Sequence, residues 1–323
     1  MDSLTHGLLG LAVGSLRRSD RDRVAVLFGC VLAAELPDLD TFWPADDLVL
    51  HALTAHRGPT HAVLFAPLVA LAATVLTKLV FRRASVVSIF VWSLPAVLLA
   101  HLLPDAWTGW GTRLALPLSD ARVTLDWMMV VDPLFTLPLL VGALWGVRRR
   151  TLIRRAVLTG ATVSCLYLAL RVAVRADLTR RVSAFYPNAE AVSVFPSWLG
   201  PVHWRYVAVV GDHYAVGNIR AFAAPEEQAV HRRAPEDALS PFARSSTTVR
   251  EALAWARFPV VTEEPRVPSG VALSIADLRY HLNGAPTLAF HIELDDQAHV
   301  VAATLDRGGS ARSLLERFRS TPR

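Results

Sequence analysis

Thiols are almost missing from this chain. Of its 323 residues only two are cysteine, Cys30 and Cys165, and both lie inside apolar segments. A disulfide framework and a thiolate metal site are thereby excluded. Long blocks of like charge are missing as well. Arginine is plentiful but sits in short clusters between apolar runs, so the net charge of +5 reads as a topology signal and argues against nucleic acid as a partner. A basic leader is absent too: the chain opens Met-Asp-Ser-Leu-Thr-His, and its first apolar run is expected to be retained rather than cleaved as a signal peptide. Apolar runs of spanning length are lacking only after Val174.

What is present is apolar residue, at 53% of the chain with a mean hydropathy of +0.36. Four stretches approach or reach the roughly 20 helical residues that cross a hydrocarbon core of about 30 Å. They are Thr60–Phe81, Val86–Leu103, Val123–Val147 and Ala156–Val174. Two shorter runs, Leu4–Leu16 and Val24–Leu36, precede them, at a length where a span, a re-entrant segment and a buried helix compete. The pattern predicts an α-helical integral membrane domain over residues 1–175, with about four full spans and two short N-terminal helices. A small α+β or β-rich soluble domain is predicted over 176–323.

Basic loops alternate with acidic and histidine-bearing ones. Arg17, Arg18, Arg21 and Arg23 form the first cluster, Lys78, Arg82 and Arg83 the second, and Arg148, Arg149, Arg150, Arg154 and Arg155 the third. Short positive loops stay in the cytoplasm, which puts Pro37–Pro59, Pro104–Arg122 and the chain after Val174 on the outer face of a cytoplasmic membrane. Arg175, Arg180 and Arg181 run against that orientation, but the three other clusters agree.

Polar residues gather at the outer ends of the runs. "MDSLTH" carries Asp2 and His6, "AAELPDLD" carries Glu35, Asp38 and Asp40, and "AHRGPTH" carries His56, Arg57 and His61. His101 and Asp105 stand four apart, so one helical turn presents both, and Arg113, Ser119 and Asp120 follow. Histidine with carboxylate and no thiolate suits one or two divalent ions, zinc first and manganese or iron next. His6, Asp38, Asp40, His61, His101 and Asp105 are the candidate ligands, with His56 next; Glu35 or Asp120 is the candidate general base. Arg57 or Arg113 is placed to stabilise developing negative charge. Gly58-Pro59 signals a turn, and Thr60 reads as the cap of a helix starting at His61.

Simpler readings stand beside these. Asp2 can serve the positive end of the first helix, Asp38 a turn after Pro37, and His6 an interfacial position. Asp126 and Asp132 suit structural bonds between helices better than ligation, and His51 reads as a loop residue.

Together the motifs resemble the YdjM-like family of bacterial and archaeal inner-membrane proteins, which is described as metal-dependent hydrolases. The matching positions are Met1-Asp2 with Thr5-His6, Pro37-Asp38 with Asp40, His56-Arg57-Gly58 with Thr60-His61, and His101 with Asp105. Gly111-Thr112-Arg113-Leu114 with Pro117, Ser119 and Asp120 completes the set. The resemblance covers about the first 150 residues. Ala62 departs from it where a serine is expected, so a hydroxyl beside His61 is missing.

Beyond Val174, "HWRYVAVVGDHYAVGNIRAF" alternates around Gly211-Asp212 and predicts a hairpin. "SGVALSIADLRYHL" and "TLAFHIELDDQAHVVAATL" read as further strands, and "STTVREALAWARFPVV" as a short helix capped near Thr247 and Thr248. His203, His213, His281, His291 and His299 lack ligand spacing. Sidedness suggests that this domain covers the outer mouth of the site or binds the polar part of a substrate.

The sequence thus points to a membrane-embedded metal-dependent hydrolase acting at the outer face, on a phosphoester of a lipid or lipid-linked substrate, with membrane lipid or a small molecule as its partner. A non-catalytic metal-binding or ion-transporting membrane protein is the alternative, and a scaffold for another protein is a third. A transporter needs polar groups through the midplane; Val63–Val80 and Val86–Ala100 hold few, chiefly Thr74, Thr77, Lys78, Ser88 and Ser93.

Overall fold

The computed structural model describes residues 1–19, 21–149, 152–197, 200–234, 239–265 and 270–306; Arg150 of the third basic loop lies outside them. The chain divides into two units. The first comprises Met1–Trp43, Ala55–Arg175 and Trp198–Gly200, the second Pro44–Thr54, Ala176–Ser197 and Pro201–Arg323.

The first unit is helical. Helix α1 (Ser3–Ser15) starts at Asp2, whose carboxylate accepts from the Thr5 amide, and it packs on α2 (Arg23–Glu35). Gly10 permits that crossing: a Cβ there would stand 2.6 Å from the Cys30 carbonyl oxygen. Proline ends α2. Pro37 has no N–H for the α-helical ladder, and the chain tightens into a 3-10 turn, Leu36–Phe42.

Among the described residues three helical segments are long and apolar enough to cross a membrane: Val63–Val80, Val86–Ala106 and Ile153–Phe185. The first contains α4 (Ala66–Val80), which turns small Ala66, Ala70 and Ala73 inward and large Leu68, Leu71, Val75 and Leu79 outward. That inversion of the soluble pattern is what packing in lipid favours, because small residues let helices approach and large ones meet acyl chains. The second segment is α5 (Val86–Ala96), a π-helical stretch Val97–Leu102 and the short α6 (Leu103–Ala106). Pro95 breaks the regular bonding just before the π stretch, which carries His101. Helix α8 (Ile153–Phe185) is the third; α7 (Pro133–Arg148) is apolar but shorter.

The expected span Val123–Val147 is therefore corrected. Only Pro133–Arg148 is helical, while the segment before it is extended, with Val123 bridging Thr112 and the Leu125 and Trp127 amides donating to Ala106 and Trp107. Two carboxylates explain the shortening. Asp126 pairs with Arg175 at 3.6 Å, and Asp132 caps α7 and accepts from the Tyr167 hydroxyl. Both are structural, as their positions suggested.

The second unit is rich in strand. Strands β1 (Ala191–Pro196), β2 (His203–Val210), β3 (His213–Arg220) and β4 (Glu226–Arg232) form an antiparallel meander, with the predicted hairpin pairing Val210 with His213. A second antiparallel sheet has the order β10-β9-β6-β5, from β5 (Pro259–Pro265), β6 (Val271–Asp277), β9 (Ala289–Leu294) and β10 (Val300–Asp306). A two-residue pair, β7 (His281–Leu282) with β8 (Ala285–Pro286), lies between β6 and β9 in sequence. Phe195, Val207, Tyr214, Val216, Phe258 and Leu278 pack as one core cluster. Helices α9 (Pro241–Ser245) and α10 (Thr247–Trp255) join the sheets, with Ser246 rather than Thr247 at the α10 cap position.

Helix α3 (Leu48–Thr54) was not anticipated. It falls between Asp40 and His56 in sequence yet belongs to the second unit, where it packs on α10 and Asp47 accepts from the Thr248 hydroxyl at 2.5 Å.

Candidate metal centre

Three histidines in the first unit are tied down in the same way. His6 Nδ1 donates to the Ala100 carbonyl at 2.8 Å, and His101 Nδ1 to the Ala34 carbonyl at 2.6 Å. A carbonyl only accepts, so each Nδ1 carries the proton and each Nε2 keeps its lone pair when the ring is neutral. Proline makes these acceptors available. Ala100 has Pro104 at i+4, which offers no N–H, and Ala34 has Pro37 at i+3, the position that would bond it in the 3-10 turn. His61 Nδ1 faces Asp40 at 3.3 Å and the Thr60 hydroxyl at 3.0 Å, while Thr60 itself donates to Asp40 at 2.6 Å.

The Nε2 atoms turn to one place. His61 Nε2 lies 2.9 Å from His101 Nε2, and 3.3 Å from both Asp38 and Asp105. His101 Nε2 is 3.6 Å from Asp38 and 3.9 Å from Asp105; His6 Nε2 is 3.3 Å from Asp105 and 4.0 Å from Asp38. Donors bound to one ion at about 2.1 Å stand about 3.0–3.4 Å apart at octahedral or tetrahedral angles. Asp38, His61, His101 and Asp105 could thus hold a metal, and Asp40, His56 and His61 form a second group that could do so.

The electrostatics also favour a cation. His6, His61, His101 and Asp105 are fully buried, and Asp38 is 21% exposed. Burial opposes a charge on His61, yet the Asp105, Asp38 and Asp40 carboxylates outweigh it and lift the imidazole to about 10. Burial would raise the Asp38 carboxyl; the hydrogen bond from His61 and the nearby His101 and His6 hold it at about 2. The Met1 amino group contacts Asp105 and sits 2.9 Å from His6 Nε2.

The remaining candidates lie around this core. His56 is a quarter exposed and bonds Asp40 at 2.9 Å. Arg57 is buried with φ +58°, a left-handed conformation unusual for arginine, and its guanidinium donates to Asp105 Oδ1 at 2.9 Å and to Thr108 at 2.8 Å. The Arg113 amide donates to the Arg57 carbonyl, and its side chain is half-buried. Glu35 is half-buried at the end of α2, its carboxylate oxygen 2.8 Å from where a Gly7 Cβ would stand. Asp120 is exposed on its loop and belongs to neither metal-holding group.

One local expectation is corrected. Thr60 does not cap a helix beginning at His61: Pro59–His61 and Val63–Phe65 are 3-10 turns, and α4 begins at Ala66, with Pro67 in its first turn. The Thr60 hydroxyl serves Asp40 instead. Thr108 and the orienting carbonyls of Ala34 and Ala100 went unread in the sequence; the prolines were the available signal for the carbonyls.

The model of the YdjM inner membrane protein family matches residues 1–178, and the chain belongs to that family. No curated protein and no solved structure matches it.

Proposed function

We propose that this member of the YdjM inner membrane protein family is a membrane-embedded hydrolase that works with a divalent metal, zinc or else manganese or iron. Its substrate would be a phosphoester of a lipid or lipid-linked molecule. One observation carries the reading: His6, His61 and His101 each have Nδ1 engaged and Nε2 turned toward Asp38 and Asp105. Ligand histidines are held in this way, with the far ring nitrogen on a carbonyl or carboxylate. In this reading His6, Asp38, His61, His101 and Asp105 hold the ion, while Asp40 orients His61 and receives His56.

A metal bound there would supply Lewis acidity, polarising an ester oxygen and making water nucleophilic near neutral pH. The protein's own residues do the rest. Glu35, outside both metal-holding groups, is the carboxylate available to take a proton. Arg57 is engaged by Asp105 and Thr108, so it fixes a ligand, and Arg113, whose amide bonds the Arg57 carbonyl, would meet an anionic substrate.

The lipid assignment rests on what flanks the ligands. Leu4, Leu39, Val63 and Leu103 are exposed, and each lies within two residues of His6, Asp38, His61 or His101. Exposed apolar side chains at membrane depth face acyl chains, so a lipid would reach the site without leaving the bilayer. Ion transport is less well supported. Thr74 and Thr77 are buried, but their hydroxyls donate to Ala70 and Ala73 of their own helix. The arginine clusters support an outer-face site on the cytoplasmic membrane.

Metal content and hydrolysis by detergent-purified protein test the reading together. The wild type should carry a divalent metal and release phosphate from a phospholipid or a lipid-linked phosphomonoester, and His101→Ala should lose both. Metal-free wild type would remove the centre. Metal-loaded protein inert toward phosphoester, carboxylic ester and amide lipids would leave the non-catalytic alternative.

A further inference from the structure

The β3–β4 turn presents an aromatic side chain to the outside. Phe222 is 96% exposed, the most exposed large apolar side chain among the described residues. The turn that carries it is well held. Arg181 of α8 donates to the carbonyls of Ala221, at 2.6 Å, and Ala223. The Ala221 amide donates to the Val202 carbonyl at 2.9 Å, and the Ala223 amide to Arg220 at 3.2 Å. These bonds hold the ring in a fixed place that its own unit leaves uncovered.

Its position along α8 gives it a use. The apolar run of α8 ends at Val174, and Arg181 lies seven residues further along the same helix. At 1.5 Å per residue, Arg181 stands about 10 Å past the end of that run, close to the headgroup layer of a bilayer. The Arg181 tie holds the Val202–Ala221 edge beside this stretch of α8. Val202 is itself partly exposed, and Arg220 is exposed beside the turn. An aromatic flanked by a guanidinium at that depth suits a lipid interface, the ring among upper acyl chains and the cation among phosphates.

We infer that the β3–β4 turn is a membrane-insertion element, and that Phe222 enters the lipid interface beside the exit of α8. The occupant is the bilayer itself. The inference depends on α8 crossing the membrane and is independent of any hydrolytic activity.

Full-length protein in phospholipid vesicles tests it. Phe222→Cys in a Cys165→Ser background is labelled with an environment-sensitive fluorophore, with Ala223→Cys as a second position and Val301→Cys, exposed on β10, as control. The labels at 222 and 223 should emit to the blue of the label at 301 and be quenched several-fold more strongly by lipids spin-labelled high on the acyl chain. Emission and quenching equal to those at 301 would overturn the inference. So would a blue shift without lipid quenching, which would assign the turn to a protein partner or a second copy of the chain.

Discussion

The imidazoles of His61 and His101 meet through their Nε2 atoms, 2.9 Å apart and both fully buried. His101 has its Nδ1 proton committed to the Ala34 carbonyl, so its neutral ring offers only a lone pair at Nε2. His61, with its Nδ1 facing Asp40 and Thr60, offers the same lone pair whenever its ring is neutral. Two lone pairs face each other stably only with a positive charge shared between them, and Asp38 and Asp105 beside them increase that demand. A proton meets it in part. A divalent ion meets it fully.

Removing one donor should therefore release the metal. His101→Ala and Asp105→Ala are expected to lose it on purification while still inserting in the membrane, because insertion follows the long apolar helices; Asp105→Ala, which leaves Arg57 unpaired, should also melt lower. Elemental analysis of the membrane-extracted variants checks this; full metal content in both would refute the ligand set.

Asp40 should behave differently from Asp38. Asp40 meets His61 on the Nδ1 side, away from the Nε2 cluster, as an orienting carboxylate does. Loss of such a partner typically weakens metal binding about 10–100-fold, so Asp40→Asn should bind weakly yet measurably. Asp38→Asn should bind far less. Metal titration of the stripped proteins ranks them, and the reverse order would make Asp40 the ligand.

Much of this was legible in the sequence because the chemistry is local. His101 and Asp105 announce themselves by spacing, and the hairpin around Gly211-Asp212 by alternation. The run before Pro133 misled because its hydropathy resembles a span, although Asp126 and Asp132 within it were the sign of an extended segment held by arginine and tyrosine. The placement of α3 left no local trace, since it depends on packing against α10, which lies some two hundred residues later in the chain. Likewise the prolines mark which carbonyls lack an N–H, but only the tertiary fold decides which histidine claims each one.

The orientation can be read chemically. With Cys165 replaced, cysteines at the exposed positions Asp46 and Val301 should react with a membrane-impermeant maleimide in intact cells, and one at Arg149 should react only after lysis. Labelling at Arg149 alone in intact cells would invert the topology.

Acid should weaken the second unit through His281. Burial, then the adjacent Arg205 guanidinium, depress this imidazole to about 3. The folded state thus binds fewer protons than the unfolded chain between about pH 3 and 6.5, so the neutral ring's contribution is intact above 6.5 and lost as pH falls toward 3. By pH 4.5 the loss is roughly 2–3 kcal/mol. Thermal unfolding of the full chain in detergent should show a shallower decline from pH 7 to 4.5 in His281→Gln than in the wild type. Identical slopes would mean that His281 is not the group being charged.

Arg57 separates two accounts of the site. The sequence suggests that it meets substrate charge, whereas its contacts make it a partner of Asp105, with a second bond to Thr108 and a left-handed backbone that the Arg113 amide helps to hold. A buried pair that loses one member is destabilised by about 3–5 kcal/mol, because the other charge is left uncompensated. Arg57→Ala should therefore lower both the melting temperature and metal affinity. Arg57→Lys should recover little, since an ammonium cannot span Asp105 and Thr108 as the planar guanidinium does. Metal binding and melting should change together across the two variants. If Arg57→Ala instead kept its metal and its stability and lost only turnover, the guanidinium would belong to the substrate, and Asp105 would need no help to hold its place.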